Sequence, residues 1–156
     1  MKKGFTLIEL LLYITIVGII LTSLVPVAWN VIEGEAKNTY QEEVVSTARN
    51  TLERIKYEVR NAKSITSVAA NSLVLVNQYG ATVTIDLSGT KARINAVNLN
   101  SDSTNVTQLV FTNYSSWNGT TQNIQIQMTV TDNLADTRNE YVKTVQLETS
   151  VERRGV

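Results

Sequence analysis

Hydrophobic positions follow three different spacings along the chain. From Leu10 to Ile32 no residue is charged. A helix of about 23 residues spans roughly 34 Å, which is enough for a bilayer core of about 30 Å. Buried core helices are usually shorter and amphipathic, so the pattern predicts that this first stretch is a membrane-spanning helix.

Beyond Glu33 the apolar residues recur every three or four positions, at Val44, Ala48, Leu52, Ile55, Val59 and Ala62. This spacing marks one face of an amphipathic helix. No turn cluster separates the two patterns, so one helix is predicted from about Thr6 to Ala62. Its apolar face lasts under three heptads, which favours packing against a sheet over a coiled-coil seam.

After Lys63 the pattern turns to alternation, with strands predicted at 72–79, 81–87, 91–97, 107–114, 123–131 and 140–151. In the fifth of these, Ile124, Ile126, Met128 and Val130 alternate with polar residues, as in a sheet with one buried face. A helix followed by an antiparallel sheet that covers its apolar stripe gives an α+β fold.

The amino-acid composition limits the chemistry that the side chains can perform. The 156 residues contain 14 basic and 14 acidic side chains, and neither Cys nor His. Without Cys the chain cannot form disulfides or reactive thiolates, and without His it lacks the usual zinc ligand and the base of a Ser-His-Asp triad. We therefore expect no enzyme, no cofactor and no metal site. The charge balance permits nucleic acid as a partner but does not support it.

The basic residues Lys2 and Lys3 precede the apolar run, and the next is Lys37. The positive-inside tendency places the N-terminus in the cytoplasm and everything after about residue 33 outside. A cleaved secretory signal would have a shorter run, and its nearest cleavage site ends at Ala28 with Pro26 where a small residue is required. A plain anchor leaves Glu9 unexplained.

The stretch KKGFTLIELL, Lys2 to Leu11, resembles the N-terminus of type IV pilin-like proteins. The resemblance implies a leader ending at Gly4, cleavage before Phe5 by a prepilin peptidase, and N-methylation of Phe5. Together with the spacing patterns described above, it gives four expected regions: leader 1–4, transmembrane and assembly helix 5–32, amphipathic helix 33–63 and sheet domain 64–156.

Glu9 has two interpretations from the residues alone. Thr6-x-x-Glu9 is a capping-box pattern. Alternatively, cleavage removes Lys2 and Lys3 and creates the amine of Phe5, which would be desolvated together with Glu9 in a helix bundle and should pair with it. The resemblance implies that the amine of Phe5 in one subunit meets Glu9 of a neighbour and that both residues serve assembly.

Gly18 and Pro26 are the candidate weak points of the helix. Pro26 has no amide proton and crowds the carbonyl of Thr22, so a kink or break is expected there. The hydroxyls of Thr22 and Ser23 are candidates to satisfy the freed carbonyls. The resemblance implies that the segment from Gly18 to Pro26 weakens or extends within a filament.

The loops at 98–108, 115–122 and 132–140 are polar and predicted to be solvated turns. Asp132, Asp136 and Glu140 match no calcium-loop spacing. Many pilins close their C-terminal region with a disulfide, and the absence of Cys favours a minor pilin or a type II secretion pseudopilin.

The expected protein is thus a structural subunit of a pilus or pseudopilus-like filament. Before assembly it would be a single-pass protein of the bacterial inner membrane, in contact with lipid, with its C-terminal domain extracytoplasmic. Expected partners are identical or homologous subunits, the prepilin peptidase and an inner-membrane assembly platform. The alternative is a membrane-anchored module for binding or adhesion that never polymerises, with ligands at the 98–122 loops.

Overall fold

The computed structural model describes residues 6–115, 122–133 and 142–154, apart from the side chains of residues 36 and 40. One helix and eight strands occur in these ranges: α1 (Leu7–Arg60), β1 (Ala62–Ala69), β2 (Ser72–Asn77), β3 (Thr82–Ser88), β4 (Lys91–Ile94), β5 (Val97–Asn98), β6 (Thr104–Asn113), β7 (Asn123–Asp132) and β8 (Thr144–Glu152). The chain divides into two compact units, Met1–Thr39 and Tyr40–Val156. The predicted α+β fold, a long helix followed by antiparallel sheets, is confirmed.

The part of α1 in the first unit is continuous through Gly18 and Pro26, so the expected break is absent in this single chain. The Thr22 hydroxyl donates to the carbonyl of Gly18, and the Ser23 hydroxyl donates to that of Ile20 at 2.8 Å. Neither donates to the Thr22 carbonyl, which Pro26 leaves without its helical partner. The expectation that these hydroxyls satisfy the carbonyl freed by Pro26 is therefore wrong, because both donate to carbonyls earlier in the helix.

The second unit begins with the amphipathic half of α1. Every residue of its predicted apolar face is buried: Val44, Ala48, Leu52, Ile55, Val59 and, just past the helix end, Ala62. The periodicity-based prediction is therefore confirmed. Thr51 lies on the same face and is also buried, at 2% exposure. The helix of this unit supplies one side of the hydrophobic core.

The strands form two antiparallel sheets where the sequence predicted one. The first has the order β1-β2-β3-β4-β5 and the second the order β6-β7-β8. Backbone hydrogen bonds join them: the Val106 amide donates to the Thr90 carbonyl at 2.9 Å, and the Phe111 amide donates to the Ala70 carbonyl at 3.0 Å. Strand β6 therefore lies beside the first sheet while pairing with β7 in the second.

The core-facing side chains come from both sheets. In β7, Ile124, Ile126, Met128 and Val130 are buried, as their alternation predicted. Met128 pairs across the ladder with Leu109 on β6 and Leu147 on β8. The first sheet contributes Leu73, Leu75, Val83, Ile85, Ala92 and Ile94. Helix and sheets thus share one continuous core in this unit.

Strand β1 was not predicted. Its partly or fully buried residues, Ala62, Ile65 and Val68, are three positions apart. Pairing with β2 shifts register between Ala62 and Ser64 and again between Ile65 and Ser67. Each shift inserts an extra residue and resets the alternation. The last strand begins at Thr144, so residues 142–143 of its predicted range precede the strand, while residues 140–141 lie outside the described residues.

Among the described residues, four in turns have positive φ, and Ala96 is the one whose residue type disfavours it. Gly80 and Gly89 have φ of 83° and 60° in the turns after β2 and β3. The Asn77 side chain accepts hydrogen bonds from the amides of Tyr79 at 3.0 Å and Ala81 at 2.9 Å, which closes the first turn. Asn95 and Ala96 both have positive φ, 50° and 65°, between β4 and β5. Two successive positive values are typical of a type I′ hairpin turn.

Candidate functional site: the N-terminal helix

The candidate site begins at the first described residue. The amides of Glu9 and Leu10 donate to the carbonyl of Thr6 at 3.1 and 3.2 Å, which starts the helix. Lys2, Lys3, Gly4 and Phe5, the predicted leader and processing residues, lie outside the described residues. Their roles remain predictions.

The carboxylate of Glu9 has no partner in the part of the chain that the structure describes. It is exposed, and it takes part in no hydrogen bond or ion pair there. The Thr6 side chain likewise does not cap the helix, so the capping-box interpretation lacks its side-chain contacts. A charged carboxylate at the start of an apolar run is thus left available for a group outside these residues.

The surface around Glu9 is apolar along most of the first unit. Large apolar side chains are exposed on all sides of the helix, among them Leu7, Ile8, Leu11, Ile14, Ile19, Leu24 and Val27. By length and composition α1 qualifies to cross a membrane, and none of its most apolar window is buried in the protein. Full burial of each such side chain is worth about 1.5–3 kcal/mol, so this surface requires lipid or other helices around it.

The helix has a polar contact near the end of the apolar run that sequence reasoning missed. The indole Nε1 of Trp29 donates to Oε1 of Glu33 at 3.0 Å. Tryptophan is enriched at membrane–water interfaces because its ring is apolar and its N–H needs a partner. The i, i+4 spacing of Trp29 and the first carboxylate after the apolar run was the available sequence signal.

Gly18 has no steric role among the residues that the structure describes. A Cβ added to this residue would meet no atom within 4 Å. The Gly18 carbonyl accepts the hydroxyl of Thr22. Since no described residue requires glycine here, a requirement for it would arise from neighbouring helices or from extension of the segment. That role in a filament is still a prediction.

The polar loop before β6 was predicted to be a solvated turn, but several of its side chains form hydrogen bonds within the fold. Asn100 is buried; its Oδ1 accepts the Ala92 amide at 3.0 Å and its Nδ2 donates to the Thr104 carbonyl at 2.6 Å. The hydroxyls of Ser101 and Ser103 donate to Glu43 on α1. This part of the 98–108 loop is therefore fixed to the helix and to β4.

The third polar loop contains one described carboxylate. Asp132 is buried, and its Oδ2 accepts the Lys143 amide at 3.2 Å. Asp136 and Glu140 lie outside the described residues. Among residues 6–115, 122–133 and 142–154, no group of three acidic side chains could hold a metal ion.

Among the described residues of the second unit, the guanidinium of Arg93 has a shifted pKa. The hydrogen bond that Arg93 donates to Asp86 raises the pKa of Arg93 above its usual value, with a smaller Coulombic contribution from the same carboxylate. The contact is bidentate, Nε to Oδ1 at 3.0 Å and a terminal nitrogen to Oδ2 at 2.6 Å. Because Asp86 and Arg93 are paired across β3 and β4, this ion pair reinforces the register of that hairpin.

Comparison with protein families finds a match at the N-terminus. Residues 1–25 fit the family described as the prokaryotic N-terminal methylation motif. No curated protein and no solved structure matches the chain. The chain therefore carries the N-terminus of a type IV pilin or pseudopilin, joined to a long helix and C-terminal antiparallel sheets.

This motif implies processing by a prepilin peptidase and a pilin-like role. Together with the apolar helix, it indicates a membrane-anchored, extracytoplasmic protein. Pilin-like proteins are typically structural and without enzymatic activity.

Proposed function

We propose that this chain is a structural subunit of a type IV pilus or a type II secretion pseudopilus-like filament. It is cut after Gly4, N-methylated at Phe5 and polymerised by packing of its N-terminal helices. It is stored in the inner membrane before an assembly platform adds it to the filament. The absence of Cys favours a minor pilin or pseudopilin.

The observation that carries the proposal is the combination of an exposed apolar helix with a single unpaired carboxylate near its start. A carboxylate at the centre of a bilayer costs about 2.5–3.5 kcal/mol on insertion scales. Near the headgroups the cost is smaller, so the monomer tolerates Glu9 there. A plain anchor gains nothing from it.

A filament changes the surroundings of Glu9. Helices that bundle away from the headgroups remove both Glu9 and the amine of Phe5 from water, and leaving either charge buried without its partner costs about 3–5 kcal/mol. Four residues of helix rise about 6 Å. A neighbour displaced by that distance along the bundle axis brings its amine level with Glu9, which selects this axial register.

The first experiment tests the register directly. The chain has no Cys, so Thr6→Cys with Leu10→Cys gives a clean crosslinking pair for neighbours displaced by four residues. In cells with the cognate assembly machinery, oxidation should give a ladder of crosslinked oligomers. Adding Glu9→Gln, which keeps the shape and removes the charge, should abolish the ladder, while the matched variant Glu35→Gln should leave it unchanged.

Processing is tested separately by intact mass and N-terminal analysis. The mature chain should begin at a methylated Phe5, and Gly4→Leu should retain Met1 and give no ladder. A wild-type chain that keeps Met1 would refute the proposal and favour a non-polymerising anchor. A processed chain whose Glu9→Gln variant still forms the ladder would leave the subunit role standing but refute the role of Glu9.

A further inference from the structure

Four cationic residues come together at the C-terminal end of α1. The amide of Arg154 donates to the carbonyl of Arg60 at 3.1 Å. A terminal guanidinium nitrogen of Arg153 donates to the carbonyl of Lys63 at 2.8 Å, across 90 positions of sequence. We call Arg60, Lys63, Arg153 and Arg154 the cationic cluster.

No residue of the cationic cluster makes an ion pair within the described ranges. The ion pairs there join Arg54 to Glu58, Lys56 to Glu53, Lys91 to Asp102 and Arg93 to Asp86. Arg60, Lys63 and Arg154 are exposed, and Arg153 is half-buried. Of the two nearest carboxylates along the chain, Glu58 is held by Arg54 at 2.9 Å and Glu152 is exposed. Of these two carboxylates only Glu152 is not engaged in an ion pair, against the four cations of the cluster.

Stabilisation of the helix end does not account for four charges. The C-terminus of a helix carries about half a negative charge, which one nearby cation complements. After Glu152 and this half charge are counted, the cluster keeps an excess of more than about two positive charges. The chain as a whole has a formal net charge of zero, so the fold concentrates positive charge at this place.

The composition of the cluster and its aromatic neighbour indicate the kind of anion. Three of the four cations are arginines, whose planar fork pairs with phosphate through two parallel hydrogen bonds. Tyr57 lies one turn before Arg60 on the same helix and is 57% exposed. The guanidinium of Arg54 lies 5.6 Å from the centroid of its ring. Phosphate-binding cations beside an exposed aromatic ring are the elements with which proteins bind single-stranded nucleic acids.

We propose that the cationic cluster binds the phosphodiester backbone of a single-stranded nucleic acid and that Tyr57 stacks on one of its bases. Arg60, Lys63 and Arg154 neutralise phosphates. Arg153 contributes charge while its hydrogen bond to Lys63 holds the C-terminal strand in place. The inference does not depend on polymerisation, since every group involved belongs to the second unit.

The test uses the full chain in uncharged detergent micelles and a fluorescent oligothymidylate of about 20 nucleotides, long enough for sites of about 4–16 nucleotides. Neutralising four phosphates of a single strand gives a slope of about −2.8 in log K against log salt. Fluorescence anisotropy should therefore show affinity falling roughly 50-fold between 50 and 200 mM salt.

Two sets of variants locate the binding site. Arg60→Gln, Lys63→Gln and Arg154→Gln together should reduce the salt effect to about threefold, because one charge remains. Arg153 is left unchanged since it also supports the fold. The matched control, Lys37→Gln, Arg49→Gln and Lys143→Gln, removes three charges elsewhere and should bind as wild type. Tyr57→Ala should weaken binding roughly tenfold, and Tyr57→Phe should not.

Circular dichroism verifies that each variant is folded. The proposal is overturned if oligothymidylate does not bind, if the control triple variant weakens binding as much as the cluster variant, or if Tyr57→Ala has no effect. A heparin fragment serves as the competing anion. Binding of heparin without binding of the oligonucleotide would also overturn the proposal, and would assign the cluster to sulfated polysaccharides.

Discussion

The hydroxyl of Thr51 gives a sharp test of how the helix packs on the sheets. Thr51 lies on the buried face of α1, and its Oγ1 is buried without a hydrogen-bond partner. A buried polar group left unpaired costs about 1–3 kcal/mol. Thr51→Val replaces this hydroxyl with a methyl group of similar shape. Valine and threonine have similar helix propensities, so the change acts through burial alone.

We expect Thr51→Val to raise the free energy of unfolding by about 1–2 kcal/mol. For a domain near 100 residues, 1 kcal/mol moves Tm by about 4 °C, so the melting temperature should rise by about 4–8 °C. Thr51→Ser is the matched control, since it keeps the hydroxyl and deletes the buried methyl. It should lower the stability by about 1 kcal/mol.

Thermal unfolding of the full chain in micelles, followed by near-ultraviolet circular dichroism, measures the tertiary packing of the second unit. The apolar first unit is identical in all three proteins, so differences report on position 51. A Thr51→Val protein that melts at or below the wild-type temperature would refute the reasoning. It would mean that the hydroxyl has a hydrogen-bond partner in solution.

Two further predictions concern the sheet domain. Ala96 adopts a positive φ of 65°, so Ala96→Gly should stabilise the protein by roughly 1 kcal/mol in chemical denaturation; Ala81→Gly, in a turn where Ala81 has no positive φ, should instead destabilise it. Asn100→Ala leaves the Ala92 amide and the Thr104 carbonyl without partners and should cost about 2–4 kcal/mol in the same assay. The exposed Asn98, two positions earlier, provides the control. A loss of stability in Asn98→Ala as large as that in Asn100→Ala would contradict this account.

The helix was predictable because its signal is local and repeated. An apolar residue at every third or fourth position from Val44 to Val59 has only one regular structure that places all of them on one face, although the predicted helix end at Ala62 lies two residues beyond the observed one. The alternation in β7 is equally direct. In both cases the side-chain spacing and the period of the backbone agree, and the predicted residues are the buried ones.

Strand β1 was not predicted because its buried residues do not alternate. Its register shifts make Ala62, Ile65 and Val68 face the core at a spacing of three. That spacing is close to the helical period, so the sequence continues the pattern of the preceding helix. The position of a bulge depends on pairing with the partner strand, so it cannot be read from the spacing of apolar residues in β1 itself.

The sequence predicted which residues form the candidate site but not which groups they contact. The stretch from Gly4 to Glu9 indicates the processing chemistry, whereas the proposed partner of Glu9 is an amine that exists only after cleavage and belongs to another subunit. The buried Asn100 and the bond from Trp29 to Glu33 were missed because both depend on side chains that meet only after folding.

The contact between Trp29 and Glu33 has a consequence for where the subunit rests in a bilayer. An interfacial Trp29 places Glu9 about 30 Å away along the helix, close to the hydrocarbon thickness of a typical membrane. In a membrane with a thicker hydrocarbon layer, the two groups cannot both reach the headgroups. Either the Trp29 indole or the Glu9 carboxylate then enters the hydrocarbon. Storage then becomes less favourable relative to the filament. The lipid composition of the membrane would thus adjust how readily subunits leave it.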